Sequence, residues 1–249
     1  MGTRAILTYH SIDESGSVLS VSPLRFQEHV EWMRRSGIAV RPLDAMVSAD
    51  AHDGQHALAI TFDDGYLNLT ERAAPLLRDH GLPATVFVVS GRVGRDNGWE
   101  RARGSRIPVR PLLDWDALGR LHESGVQIGA HSRTHPYLPR LVDSAIEDEL
   151  AGCADEIERR LGTRPIAVAY PYGATDSRVA GIARGLFRVG VTTRFRTLGA
   201  LEDPALVPRL DAWYFRSPAS LESWGSAKFQ LRVLARDGAR RMRRLVRPD

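Results

Sequence analysis

The sequence predicts an α/β protein: a closed or nearly closed β/α barrel of seven or eight parallel strands. Three observations carry this. Short β-type apolar runs recur along the whole chain, helical patterns stand between many of them, and glycines mark the joints. A length of 249 residues suits one large domain or two small ones and is ample for a hydrophobic core. With 43% hydrophobic and 26% charged residues, neither wholesale disorder nor a fibrous repeat is tenable.

Strands are expected near Ile6–Tyr9, Ile38–Arg41, Ala57–Phe62, Thr85–Val89, Val126–Ala130, Ile166–Tyr170, Arg188–Thr192 and Val207–Leu210. The first helix starts at Ser22-Pro23, where a hydroxyl cap precedes a proline suited to the first helical position. Phe26, Val30 and Met33 share its inner face, and Gly37 closes it. Further helices are expected over about Thr70–His80, from Asp114 to near Gly125, over Asp143–Leu161, and over about Asp176–Arg184. A doubly wound open sheet is the alternative architecture, but no G-x-G-x-x-G follows the first strand. The irregular stretch Ser90–Leu113 reads as a lid or binding loop. Its Arg92, Arg95, Arg101, Arg103 and Arg106 could hold an anion on a substrate or simply be solvated.

No apolar run approaches the ~18–20 residues of a membrane span. Ala5-Ile6-Leu7 is too short for a signal core, so a cytoplasmic location is expected unless a leader has been trimmed. The one cysteine, Cys153, shares a helical face with Ile146, Leu150, Ile157 and Leu161 and reads as a buried core thiol. Charge is uneven. From Lys228 onward eight basic residues face two acids, a local +6 within a total of +4, so the body carries −2. The basic pI of 9.6 therefore belongs to the tail, and nucleic acid is not expected as a partner.

Three strands run into polar clusters. Ala57–Phe62 leads into Asp63-Asp64-Gly65, Val126–Ala130 into His131-Ser132-Arg133-Thr134-His135-Pro136, and Ile166–Tyr170 into Pro171-Tyr172-Gly173. In a β/α barrel the C-terminal strand ends carry the chemistry. Adjacent carboxylates repel, and burying both is costly unless a cation is present. A carboxylate and two imidazoles give three metal ligands with an open position, which is the pattern of catalytic zinc. The second carboxylate is then free to act as general base. Each cluster alone could be an ordinary turn or cap; together, at strand ends, they point to a metal-dependent hydrolase.

These residues resemble the polysaccharide deacetylase family (the NodB-homology domain, carbohydrate esterase family 4). The matching text is Thr61-Phe62-Asp63-Asp64-Gly65, His131-Ser132-Arg133-Thr134-His135-Pro136 and Tyr170-Pro171-Tyr172-Gly173, within a likeness spanning about Ile6 to Trp213. The resemblance implies a distorted barrel of seven or eight β/α units and metal-dependent removal of acetyl groups from sugars. It implies Asp63 as general base, Asp64, His131 and His135 as metal ligands, and the backbone N–H of Tyr172 as an oxyanion donor. Zinc is the expected ion; Co²⁺, Ni²⁺ or Fe²⁺ would suit the same donors.

Two departures stand out. The family often carries an arginine before its third motif; here that place is Ala169, and Arg209 in Pro208-Arg209-Leu210-Asp211 is the candidate substitute. The family often ends in a Leu-x-His motif; here the last histidine is His135. The opening Ile6-Leu7-Thr8-Tyr9-His10 instead resembles the permuted branch of poly-glucosamine deacetylases, with His10 as general acid. The alternative for His10 is a buried ring satisfied by a carbonyl.

Residues 1–227 are thus expected to form the catalytic domain and 228–249 a basic helix or tail. The expected substrate is an N-acetylhexosamine in a glycan, glycolipid or lipid-linked saccharide, with Tyr66, Trp99 and Trp213 lining the mouth. O-deacetylation or deformylation of a modified sugar would use the same site. A catalytically inactive glycan binder is the reading from another class, and a metal phosphoesterase has less support. In the tail, Leu231, Leu234, Gly238, Met242 and Leu245 recur at helical spacing among arginines. That pattern fits either peripheral membrane contact or packing on the barrel.

Overall fold

A computed structural model describes residues 2–48, 54–102, 104–217 and 219–246, with side chains for all of these except 102 and 243–246. Arg103 and Arg247 of the expected anion loop and tail lie outside the described residues. The strands are β1 (Arg4–Tyr9), β2 (Ser11–Ile12), β3 (Ser20–Val21), β4 (Ala39–Val40), β5 (Ala57–Phe62), β6 (Ala84–Val88), β7 (Gln127–Ala130), β8 (Ala167–Ala169), β9 (Val189–Val191) and β10 (Leu210–Asp211). The helices are α1 (Pro23–Ser36), α2 (Asn68–Arg72), α3 (Ala74–Asp79), α4 (Trp99–Ala102), α5 (Trp115–Glu123), α6 (Asp143–Leu161), α7 (Ser177–Leu186), α8 (Ala219–Glu222) and α9 (Ala227–Val246).

Among the described residues, eight strands form one parallel sheet in the order β10-β1-β5-β6-β7-β8-β9, with β4 paired to the start of β5. The expected strand at 207–210 is split. Val207 bridges Val191 of β9, while Leu210 and Asp211 pair with Leu7 and Thr8 of β1. One short segment therefore meets β9 at its start and β1 at its end, so the ladder runs round into a distorted barrel.

The sheet separates two apolar layers by strand alternation. Ile6, Ala57, Ala59, Phe87, Ala167, Ala169, Val189 and Val191 form the inner cluster. Leu7, Tyr9, Leu58, Ile60, Phe62, Val86, Val88 and Val168 form the outer one with the helices. Phe87 fills the inner space beside Gly129; a Cβ on Gly129 would stand 2.5 Å from that ring, so no larger residue fits there.

Capping follows the sequence closely. The side chains of Ser22, Asp114 and Asp176 accept from the backbone N–H groups of Arg25, Ala117 and Val179, and Gly37 and Gly162 close α1 and α6 in left-handed geometry. The single helix expected over Thr70–His80 is two, α2 and α3. Pro75 has no N–H to donate to the carbonyl of Glu71, so the helix breaks at Ala73. The 90–113 stretch is pinned rather than irregular. Buried Asn97 donates to the Tyr66 hydroxyl and the Pro108 carbonyl, and accepts from the Arg110 N–H at 2.7 Å. Cys153 is fully buried on α6, and burial pushes its thiol up to about 11. Among the described residues no helix is long and apolar enough to cross a membrane.

His29, on α1, is buried. The Tyr9 hydroxyl lies 2.8 Å from its Nδ1 and the Phe215 carbonyl 3.0 Å from its Nε2. The carbonyl can only accept, so Nε2 carries the proton and Nδ1 accepts from Tyr9. Burial pulls the imidazole down from 6.5 to about 4. Between those values the unfolded chain takes the extra proton, so the contribution of His29 is whole above pH 6.5 and lost as pH falls through 4. His29→Gln should remove up to about 3 kcal/mol of the pH dependence of stability across that window, read by urea unfolding at stepped pH.

Candidate functional site

The predicted residues meet at the C-terminal rim of the barrel. His10 follows β1, Asp63 and Asp64 follow β5, His131 follows β7, and Arg209 precedes β10. Strand parity aims several of them inward. Asp63 continues the inner row of Ala57, Ala59 and Thr61, and His131 continues that of Gln127 and Gly129.

Asp63 and Asp64 are both buried. Asp63 receives a two-pronged ion pair, with Arg209 Nη1 to Oδ1 and Nη2 to Oδ2 both at 2.7 Å. Arg209 is itself fixed by donating Nε to the Thr192 carbonyl and Nη1 to Thr61 Oγ1. Burial works to raise the Asp63 carboxyl, and the guanidinium overrides it, so the group stays below its ordinary range. His10 Nε2 lies 3.9 Å from Asp63 Oδ2, on the more open side.

Asp64 turns away from Asp63 through a left-handed backbone, φ +69°, followed by Gly65 at φ +71°. Its Oδ1 lies 3.3 Å from His131 Nε2 and 3.5 Å from His135 Nε2, and it is buried without a hydrogen bond among the described residues. His131 Nδ1 donates to the Ala169 carbonyl at 2.6 Å, which turns Nε2 towards the carboxylate. Burial drives His135 down to about 3, so its ring is neutral. Asp64 and Asp63 raise the His131 imidazole against the pull of burial, so without an ion the Asp64 carboxylate favours a proton on that ring, and a divalent cation would take that proton's place. The three ligand atoms all lie within 4.8 Å of one another, so this donor set fits a divalent metal.

The His131–His135 loop is held from below. Glu149 of α6 accepts from the N–H groups of Arg133 and Thr134, and Ser132 Oγ accepts from the His135 N–H at 3.0 Å. Among the described residues, four non-glycine residues have positive φ, namely Asp64, Ser132, His135 and Tyr172, and all four lie at this site. Tyr172 sits edge-on to His135, ring centres 4.5 Å apart, and its hydroxyl donates to the His135 carbonyl.

The expected aromatic mouth is corrected in two of its three members. Tyr66 and Trp99 are only 2% and 6% exposed, packed with Val89 and Leu112, and Trp99 stacks on the His135 ring at 4.7 Å. They brace the His131–His135 loop and offer no open face to a sugar. Trp213 is half-buried and lines a surface cavity of about 710 Å³ together with Tyr214, Ser22 and Ser217.

Asp211 was not anticipated. It shares a small crevice with His10, Arg209 and Arg240, and accepts from the Trp213 N–H. Its place beside Arg209 in Pro208-Arg209-Leu210-Asp211 was the only sequence signal for it.

The family model described as Polysaccharide deacetylase matches residues 50–187, more than half of the chain. The chain belongs to the polysaccharide deacetylase family. Among similar proteins, "Putative polysaccharide deacetylase YxkH" of Bacillus subtilis (strain 168) is 26% identical over 192 residues, 76% of this chain and 63% of that protein. The poly-beta-1,6-N-acetyl-D-glucosamine N-deacetylase of Staphylococcus aureus (strain MRSA252) is 20% identical over 201 residues, 78% of this chain and 66% of that protein. This polysaccharide deacetylase chain thus covers less than two thirds of either relative. Its fold matches that of the Streptococcus pyogenes deacetylase PplD, with a TM-score of 0.75 at 23% identity, over 89% of this chain and 97% of that one.

The Asp63–Arg209 pair gives a direct stability test. Arg209→Met should destabilise the fold by about 3–5 kcal/mol, because it leaves a buried carboxylate without its partner. Adding Asp63→Asn should recover most of that loss in urea unfolding, because the stranded charge is gone.

Proposed function

We propose that this chain hydrolyses the acetamide of an N-acetylated amino sugar within a glycan, adding water across the C–N bond and releasing acetate and a free sugar amine. The observation that carries this reading is the division of labour between two adjacent buried carboxylates. Asp63 is paired with Arg209 at 2.7 Å and lies 3.9 Å from His10, while Asp64 faces two imidazoles. The family, and a relative whose name is that of a poly-N-acetylglucosamine deacetylase, support it.

Asp64, His131 and His135 would hold the divalent ion, with zinc the first choice and Co²⁺, Ni²⁺ or Fe²⁺ suited to the same donors. When bound, that ion supplies a Lewis acid for the carbonyl and lowers the pKa of water at the site. Asp63 accepts the proton of the attacking water, as an anion kept ionised and oriented by Arg209. Arg209 is therefore a positioning residue. His10 delivers a proton to the departing amine nitrogen. The N–H of Tyr172, in its left-handed turn, is assigned to the oxyanion of the tetrahedral intermediate. Trp213 supplies the sugar-facing aromatic surface at the edge of the site.

The test is acetate release from chitooligosaccharides and from β-1,6-linked N-acetylglucosamine oligomers. Release should stop on chelation and return with Zn²⁺. Asp63→Asn should lower kcat by about 10²–10⁴-fold while leaving bound metal unchanged. Full activity of that variant would remove Asp63 from the base role. Release from an O-acetylated sugar alone would change the bond cleaved, and tight glycan binding without release would make the chain a binder.

A separate experiment isolates His10. An amine leaves only when protonated, whereas 4-nitrophenolate leaves unaided. His10→Gln should therefore slow acetamide hydrolysis far more than 4-nitrophenyl acetate hydrolysis. Equal losses on both substrates would point to a structural role.

A further inference from the structure

The last long helix, α9, packs on the barrel with one face and leaves an apolar stripe on the other. Inward, Phe229 and Val233 are buried, with Phe229 against Phe215 and Trp224. Arg236 lies over the Tyr214 ring at 4.3 Å, and Arg240 donates to the Thr193 carbonyl and lies over the Phe195 ring. Outward, Leu231, Leu234 and Met242 are 66%, 64% and 69% exposed, and the small residues Ala235 and Gly238 complete the same side. Single exposed leucines need no explanation; a continuous stripe of them along a helix does.

The stripe runs beside positive charge. Exposed Lys228 flanks its start and Arg241 its far end. Next to Arg241 opens a cleft of about 210 Å³ lined by Arg194, Arg196, Arg240 and Arg241, with Asp237 as its acid. Arg241 neutralises Asp237 at 2.7 Å and Arg196 is paired with Glu202, while exposed Arg194 has no ion pair among the described residues. Over the whole segment from residue 228, eight basic residues face two acids. An apolar stripe bordered by surplus cations complements a surface that is apolar just below an anionic layer.

We propose that α9 docks the enzyme on an anionic phospholipid bilayer. Leu231, Leu234 and Met242 enter the acyl boundary, and the arginine cleft takes a lipid phosphate. The cleft shares Thr193 and Arg240 with the crevice that holds His10 and Arg209. Docking by this face therefore sets the catalytic rim close to the headgroups, where a membrane-attached glycan would lie. This proposal stands on α9 and the arginine cleft beside it and does not depend on the reaction assigned above.

The test is co-sedimentation of the full chain with vesicles of phosphatidylcholine alone and of phosphatidylcholine mixed with phosphatidylglycerol. The protein should pellet with the anionic vesicles, stay in solution with the neutral ones, and be released by high salt. Leu231→Gln, Leu234→Gln and Met242→Gln combined should weaken vesicle binding by at least about tenfold. Circular dichroism and acetate release from a soluble oligosaccharide should be unchanged in that variant. Arg194→Gln with Lys228→Gln should also weaken binding and flatten its salt dependence. Three outcomes would each overturn the proposal: no pelleting of the wild type, equal pelleting with both vesicle types, or undiminished binding by the glutamine variant. A dimer by light scattering that the glutamine variant splits, in a protein that ignores vesicles, would reassign the stripe to a second copy of the chain.

Discussion

Two adjacent carboxylates buried at the end of β5 cannot both remain charged without positive partners, and much of the rim follows from meeting that need. Asp63 takes a fixed cation, Arg209, in a two-pronged pair. Asp64 is turned away by a left-handed residue and faces two imidazoles. Had both acids relied on arginines, no open coordination site would remain; had neither, one would be protonated. The split leaves one anion paired with a fixed cation and the other facing two imidazoles, a donor set that fits a divalent metal.

This demand on charge also bears on topology. Arg209 must reach the rim from inside the barrel, so its segment has to lie between β9 and β1. Val207 bridges Val191 and Leu210 pairs with Leu7, which places Arg209 between the two attachments. The same arginine donates to the Thr192 carbonyl beyond β9 and to Thr61 on β5, so the ion pair and the closure of the barrel reinforce each other. Ala169, at the end of β8, lends its backbone carbonyl to His131 Nδ1 and so orients that ring.

Much of the fold and rim was legible in the sequence because both are written in short-range patterns. Period-two alternation carries Ala57, Ala59, Thr61 and Asp63 on one face, so the direction of Asp63 follows once the strand is recognised. The cap at Ser22 and the helix starts at Asp114 and Asp176 rest on local hydrogen bonds and were equally readable. Tyr66 and Trp99 were misplaced because aromatic identity does not say which side of a loop faces solvent. The decision lies with Asn97, whose three hydrogen bonds gather residues 66, 108 and 110 and fold the loop back on itself. No periodic signal announces such a residue. The left-handed backbone at Asp64, Ser132, His135 and Tyr172 was likewise invisible, since only a few per cent of non-glycine residues adopt it and no local pattern marks which ones.

The C-terminal helix shows why counting charges misjudges a face. A sequence rich in arginine suggests that the arginines are solvated and the leucines buried. On α9 the reverse arrangement holds for the central turns. Tyr214 and Phe195 offer ring faces to Arg236 and Arg240, and the Thr193 carbonyl accepts from Arg240, so guanidinium groups can be satisfied against the barrel. Arg232 likewise donates to the Ser220 carbonyl. With Phe229 and Val233 anchoring that same side, the helix has no further inward positions for Leu231, Leu234 and Met242, and their stripe is directed outward by geometry rather than by any shortage of apolar surface inside.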